Sequence, residues 1–171
     1  MFKLNVFCLI MIFIAHRGNT NGSNPDFENK PDYIDAALRD GFDVEVDVWV
    51  LDGNILLGHD GPDTPVELAF LESRKSNLWC HAKNLRALEM LLAHGFNCFS
   101  HDADDYVLTS HGDIWAYPGK PCTNKCICVM PEWDNMTVPV ASKGVCSDFV
   151  GKLRGAAAGT RIANSFETVS A

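Results

Sequence analysis

Two histidines, an arginine and a set of alternating acids are the residues best able to do chemistry in this chain. His16 and Arg17 close an apolar run in Ile14-Ala15-His16-Arg17-Gly18. Further on, Asp43-Val44-Glu45-Val46-Asp47-Val48-Trp49 alternates acids with valines, and Gly58-His59-Asp60 follows. Two imidazoles, one guanidinium and two carboxylates are the parts that bind a divalent metal, hold a phosphate and move protons. An extended chain turns successive side chains to opposite faces. Asp43, Glu45, Asp47 and Trp49 therefore share one face, and Val44, Val46, Val48 and Val50 share the other. A surface strand would send its acids to water. A barrel strand would bury the valines under outer helices and point the acids into the barrel mouth. Periodicity alone does not separate these two; the flanking His-Arg-Gly and Gly-His-Asp favour the second.

The elements that must position these groups can be read around them. The run from Phe7 to Ala15 reads as a first strand, and Asn19 to Lys30 as a polar loop. Pro31 to Asp40 reads as a helix: Pro31 suits the first turn, Ile34, Ala37 and Leu38 form an apolar stripe, and Gly41 suits the stop. Asp43 to Leu51 is the second strand, and Asp52-Gly53 turns it back into a hairpin arm from Asn54 to Leu57. Thr64-Pro65-Val66-Glu67 has the pattern of a capping box, opening a short helix to about Arg74. Asn77 to Lys83 and Phe96 to Ser100 read as strands, separated by a helix carrying Leu85, Leu88, Leu91 and Leu92. Strand, helix, strand, helix, strand implies a parallel sheet with right-handed crossovers. Beyond residue 100 helical periodicity fades. Short strands are expected at Tyr106 to Ser110, Ile114 to Tyr117, Ile127 to Met130 and Val145 to Val150. Residues 1–154 form one expected domain, and 155–171, rich in Ala, Gly, Ser and Thr, a disordered tail.

Bulk composition narrows the function. The 171 residues suffice for one domain with a real core. A net charge of −8 makes nucleic acid a poor partner, although a bound metal can still supply a local positive field for a phosphate. Lys3 followed by the apolar stretch Val6 to Ala15 imitates a signal peptide. Cleavage after it would remove the strand that carries His16, so it reads as a buried strand. At about half the roughly twenty residues a membrane span needs, it predicts no stable membrane insertion. Seven cysteines, several inside apolar stretches, fit a reduced, cytoplasmic protein better than a secreted one. Cys122, Cys126 and Cys128 lack a second Cys pair and run into a strand-like segment, so they read as core rather than as a zinc site.

The His16-Arg17-Gly18 strand end, the Phe27-Glu28-Asn29 element, the Glu45-x-Asp47 strand and His59-Asp60 together resemble the signature of glycerophosphodiester phosphodiesterases. These belong to the wider group of barrel phosphodiesterases related to phosphatidylinositol-specific phospholipase C. The resemblance covers residues 10 to 60 well and later strands weakly. It implies a metal-dependent hydrolase of glycerophosphodiesters or phospholipid headgroups. His16 and His59 would be the acid/base pair, and Arg17 and Lys83 would hold the phosphate. Glu45 and Asp47 would bind Mg²⁺ or Ca²⁺, and Glu28 would orient Arg17 or approach the metal. No protein nucleophile is required, because the family often uses the substrate's own neighbouring hydroxyl.

Two departures stand out. The family typically places a Glu two residues before the third-strand lysine; here the position is His81, which as a metal ligand tilts the preference toward Mn²⁺ or Zn²⁺. Asp102 is a candidate for the missing oxygen. A full eight-unit barrel takes about 250 residues, so the fold expected is α/β, an abbreviated TIM-type barrel with helices reduced in its second half. Two other readings follow: a catalytically impaired module that binds a phosphate ester or metal, and a sphingomyelinase D-like phospholipase. Among the remaining residues, Asp148 can reach the mouth from the last strand. His101 and His111 read as loop residues, Asp102, Asp104 and Asp105 as a solvated acidic loop, and Trp115 and Tyr117 as either mouth or core.

Overall fold

The computed structural model describes residues 11–134, 138 and 141–157. Ten strands and a few short helices form a mixed α/β fold around one sheet. In chain order the elements are β1 (Ile12–His16), α1 (Pro31–Arg39), β2 (Asp43–Leu51), β3 (Asn54–Leu57), β4 (Thr64–Val66) and α2 (Leu68–Glu72). Then come β5 (Leu78–Ala82), α3 (Leu85–Ala93), β6 (Cys98–Phe99), β7 (Tyr106–Leu108), β8 (Ile114–Ala116), β9 (Cys126–Val129) and β10 (Gly144–Ser147). A last helix, α4, occupies 150–157.

Seven of these strands run parallel. Their spatial order, β6-β5-β2-β1-β10-β9-β8, is the chain order taken cyclically with a break between β6 and β8. β3 and β4 extend the C-terminal half of β2 as an antiparallel meander, and β7 pairs antiparallel with β8. No ladder joins β6 to β8 among the described residues, which therefore show a curled sheet and not a complete barrel. The sheet nevertheless curls until its two edges meet. The Phe99 and Trp115 rings lie 4.5 Å apart, and Ser110 donates its backbone N–H to Cys98 O at 2.8 Å.

Curling gives the sheet two faces with separate cores. Outside, Val44, Val46 and Val48 of β2 pack with Ile34 and Ala37 of α1, Leu71 of α2 and Leu91 of α3, all buried. Inside, Ile14, Trp79, Phe99, Trp115, Ile127, Val129, Met130 and Cys146 fill the curl. The acids of β2 therefore point into the curl beside this aromatic core, where Glu45 and Asp47 are 3% and 1% exposed. The barrel-strand reading of the alternation holds.

Most elements fall where the sequence places them, and β2 and β3 match residue for residue. Three expectations fail. Thr64-Pro65-Val66 is a strand paired with β3, so Thr64 caps nothing; its hydroxyl accepts from Lys30 Nζ at 2.9 Å. Pro65 is tolerated there because β4 is an edge strand. Helix α2 starts after Glu67, which makes no side-chain cap. The expected last strand ends at Ser147, and α4 runs through 155–157, where the tail was expected to begin. The remainder of that tail, and residues 7–10 of the expected first strand, lie outside the described residues. Among the described residues no helix is long and apolar enough to cross a membrane.

Candidate metal centre

Asp47 organises the site. It lies on the inner face of β2 toward the C-terminal ends of the parallel strands, and five side chains converge on its carboxylate. Oδ2 accepts from Asn29 Nδ2 at 3.0 Å and lies 3.2 Å from Arg17 Nε and 3.3 Å from His59 Nδ1. Oδ1 lies 3.0 Å from His81 Nδ1 and 3.5 Å from Lys83 Nζ. Although buried, Oδ1 receives no aligned hydrogen bond. A buried carboxylate oxygen left without one is costly unless something else neutralises it.

Glu45, Asp47 and His81 each offer one ligand atom, and the three atoms lie within 4.8 Å of one another. A separation near 3 Å between Asp47 Oδ1 and His81 Nδ1 suits two ligands of a common ion with bonds of about 2.1 Å. The ring of His81 is clamped by stacking on Phe99 (5.2 Å) and His101 (4.6 Å), so its orientation is set in advance. The donor set fits a divalent cation. Register explains the meeting: β2 and β5 pair Asp47 with His81 and Glu45 with Trp79, so the two pairs share the inner face.

Electrostatics differ sharply within the trio. Burial and the charge of Asp47 raise the carboxyl of Glu45 above its ordinary value. Burial would also raise Asp47, but contacts from His59 and His81 and the charge of Arg17 outweigh it and hold that carboxyl well below the carboxylate range. The same burial therefore acts on two carboxyls that shift in opposite directions, because only Asp47 has close cationic partners on both oxygens.

His16 ends β1 beside this trio. Its Nδ1 lies 2.8 Å from Asp148 Oδ1, and its Nε2 faces Glu45 Oε2 at 4.0 Å. Burial disfavours the imidazolium, but the Asp148 hydrogen bond and the charge of Glu45 outweigh that, so the pKa of His16 is raised. Asp148 is itself held: its N–H donates to Glu132 Oε1, and its Oδ1 accepts from Asn19 Nδ2 at 2.9 Å. Arg17 adopts a left-handed conformation (φ 52°) that brings its backbone N–H to Glu45 Oε2 at 3.2 Å. The next residue, Gly18 (φ 92°), has no alternative, since a Cβ there would sit 2.8 Å from the Tyr33 ring.

His59 reaches the site from the turn after β3. That turn depends on Gly58 (φ 149°), whose added Cβ would collide with Gly61 O at 2.1 Å. Trp49 Nε1 donates to Gly58 O at 2.7 Å and ties the turn to β2. His59 is the more open of the two imidazoles, with Asp60 3.7 Å from its Nε2.

The structure thus brings His16, Arg17, Glu45, Asp47, His59, His81 and Lys83 around one cavity of about 300 Å³. Glu28 is not in the metal trio. Its oxygens accept from Arg17 Nη1 (2.9 Å), Asn19 Nδ2 (2.8 Å) and Ser23 Oγ (2.8 Å), so it orients Arg17. Asp102 lines the mouth but lies outside the trio, and His111 and Asp43 line a cleft with Ile12 rather than this cavity. Trp115 and Tyr117 both line the cavity, Trp115 being buried as well. The six described cysteines are free, and Cys122, Cys126 and Cys128 form no metal-binding group.

Sequence reasoning passed over Asn19 and read His101 as a loop residue, which it is, without placing it at the site. Asn19 bridges Glu28 and Asp148 and accepts from Tyr33 Oη at 3.1 Å. His101 flanks His81, and burial together with the nearby His81 and Lys83 lowers its pKa. Asn19's place two residues after Arg17 was a usable signal; His101 offered none. No protein-family model, no curated protein and no solved structure matches this chain.

Proposed function

We propose that this chain is a metal-dependent phosphodiester hydrolase acting on glycerophosphodiesters or phospholipid headgroups. Its scaffold is an abbreviated TIM-type barrel whose second half has shed most of its helices. The observation that carries the reading is the convergence of two separately held imidazoles and two cations on one buried Glu-Asp-His trio. Such barrels place chemistry at the C-terminal ends of parallel strands, where His16, Asp47, His81 and Asp148 are found.

Glu45, Asp47 and His81 would hold the ion, with Mn²⁺ or Zn²⁺ suited to His81 and Mg²⁺ suited to the two acids. A divalent ion there supplies charge stabilisation for the nonbridging phosphate oxygens. Arg17 adds a planar guanidinium braced by Glu28, and Lys83 a compact ammonium near Asp47. His16, with Nδ1 turned to Asp148, presents Nε2 to the site as general base toward a substrate hydroxyl vicinal to the phosphate. His59, with Nδ1 toward Asp47, presents Nε2 near the open side, where it can protonate the departing alcohol. The six free cysteines among the described residues support a cytoplasmic location, which belongs to the same proposal.

The test is turnover of a panel of glycerophosphodiesters with Mg²⁺, Ca²⁺, Mn²⁺ and Zn²⁺, using His16→Ala and His59→Ala beside the wild type. Each variant is expected to lose at least about 100-fold in kcat. Wild-type rates in both would refute the acid/base assignment. Binding of metal and phosphodiester with no turnover under any ion would mark a binding module instead.

A further inference from the structure

Lys83 stands where a cation is wanted. Its Nζ is 3.5 Å from Asp47 Oδ1, the buried oxygen that lacks an aligned hydrogen bond, and 3.5 Å from His59 Nδ1. Its side chain is largely buried, and it enters the site two residues after His81. We propose that Lys83 is an exchanging counter-cation: it neutralises Asp47 when the trio holds no metal, and it transfers to the phosphate when metal and phosphodiester bind together, which makes those two bind cooperatively. This rests on the function proposed above and adds how the site is loaded.

The charges favour this. Arg17 is shared between Asp47 and Glu28, whereas Lys83 sets its positive charge 3.5 Å from Asp47 Oδ1. A divalent ion entering alone sets two further positive charges beside the Lys83 ammonium in a buried place where they are poorly screened. It also meets the ammonium beside one of its own ligand oxygens. A phosphodiester monoanion removes both obstacles, since it offers oxygen to the ion and a new partner to Lys83. Each ligand therefore favours the other, and linkage requires the effect to be reciprocal.

Lys83 and Arg17 are not equivalent here. Arg17 is fixed by Glu28 at 2.9 Å, by Asp47 at 3.2 Å and by its backbone bond to Glu45. Lys83 is held by longer contacts, 3.5 Å to Asp47 Oδ1 and 3.5 Å to His59 Nδ1. Its ammonium is a compact point charge on a four-carbon stem with three rotatable donors. Its backbone stays anchored through its N–H to Val48 O at 2.9 Å, so the head group can move while the stem remains in place.

The experiment measures Mn²⁺ binding to the full chain by electron paramagnetic resonance, alone and with saturating dimethyl phosphate. That diester has no neighbouring hydroxyl and is not turned over by the route proposed. Wild-type affinity for Mn²⁺ is expected to rise at least tenfold with the diester. Lys83→Met is expected to bind Mn²⁺ alone several-fold more tightly than wild type and to keep less than a threefold response to the diester. Lys83→Arg, which keeps the charge, is expected to retain the larger part of the response and guards against a folding artefact. An unchanged wild-type affinity with dimethyl phosphate overturns the coupling while leaving the metal centre intact. A Lys83→Met protein that binds Mn²⁺ no more tightly than wild type overturns the exchange. Absence of Mn²⁺ binding under either condition overturns the coupling and the metal-centre reading together.

Discussion

From β1 to β6 every crossover between parallel strands carries a helix, and those helices bury the valine face of β2. From β7 onward the strands are joined by turns, a loop and one 3-10 segment (Pro131–Asp134) among the described residues. The two halves feed the cavity differently. The first supplies Arg17, Glu45, Asp47, His59, His81 and Lys83; the second supplies Trp115, Tyr117, Met130 and Trp133. Ligands that must keep their geometry sit on strands whose backs are braced by helices. The half without that bracing contributes a wall, whose surfaces tolerate small displacements. Asp148 is the exception, a charged group from the second half that pairs with His16. It is held by its own set of bonds, through Glu132 and Asn19.

The sharpest way to break this contrast is Asp47→Asn. The variant would remove one carboxylate of the proposed metal trio and the shared partner of Arg17, His59 and Lys83. Turnover is expected to fall by roughly 10³-fold or more, with loss of Mn²⁺ binding. A variant that bound Mn²⁺ as tightly as wild type would move the metal centre elsewhere.

Asp148→Asn tests the exception and has the next largest effect. It leaves the trio intact but weakens the hold on the His16 tautomer. A kcat loss of about 100-fold is expected, with Mn²⁺ affinity unchanged. Equal losses in metal binding and kcat would show that the second half supports the metal rather than the proton transfer.

The first half was also the legible half. The alternation of acids and valines located β2 to the residue, and the Pro31 start and Gly41 stop located α1. The facing of the acids was not contained in that pattern, because a period of two fits either face. It was decided by Val44, Val46 and Val48 packing against helices that lie elsewhere in the chain. Thr64-Pro65-Val66-Glu67 misled because a local capping pattern was overridden by pairing with β3 and by the Lys30 bond. Helix α4 was hidden by the Ala- and Gly-rich composition of its segment, whereas Val150 at its start is fully buried in the outer core. The His16–Asp148 pair spans 132 positions, a separation over which sequence pattern carries no signal. His101, in the loop after β6, likewise gains its place through rings that other segments bring to it, His81 and Tyr117.

Trp133 probes the wall at a smaller scale. It lines the cavity but is 62% exposed, so little of the fold depends on it. Trp133→Ala is expected to shift stability by less than about 0.5 kcal/mol. If the wall covers bound substrate, KM should rise roughly fivefold from the lost apolar contact while kcat holds. An unchanged KM across the substrate panel would remove Trp133 from the binding surface.

The smallest effect expected lies in the bracing itself. Arg74, just after α2, grips Asp35 of α1 through two bonds, Nε to Oδ1 at 2.5 Å and Nη2 to Oδ2 at 2.7 Å. The Arg74 hydrogen bond, opposed only in part by burial, lowers the Asp35 carboxyl below its ordinary value of 3.8. A carboxyl whose pKa is depressed by folding binds fewer protons in the native state than in the unfolded one. Its contribution is therefore complete above the unfolded value and is lost as pH falls through the folded one. For a partly exposed bidentate pair this amounts to about 0.5–1 kcal/mol. Arg74→Met should lower stability by that amount at pH 7, as read by urea unfolding. The gap between variant and wild type should narrow as pH falls below 3.8. A gap independent of pH down to acid unfolding would assign the loss to the packing of Arg74 on the Phe70 ring, 3.9 Å away, rather than to its charge.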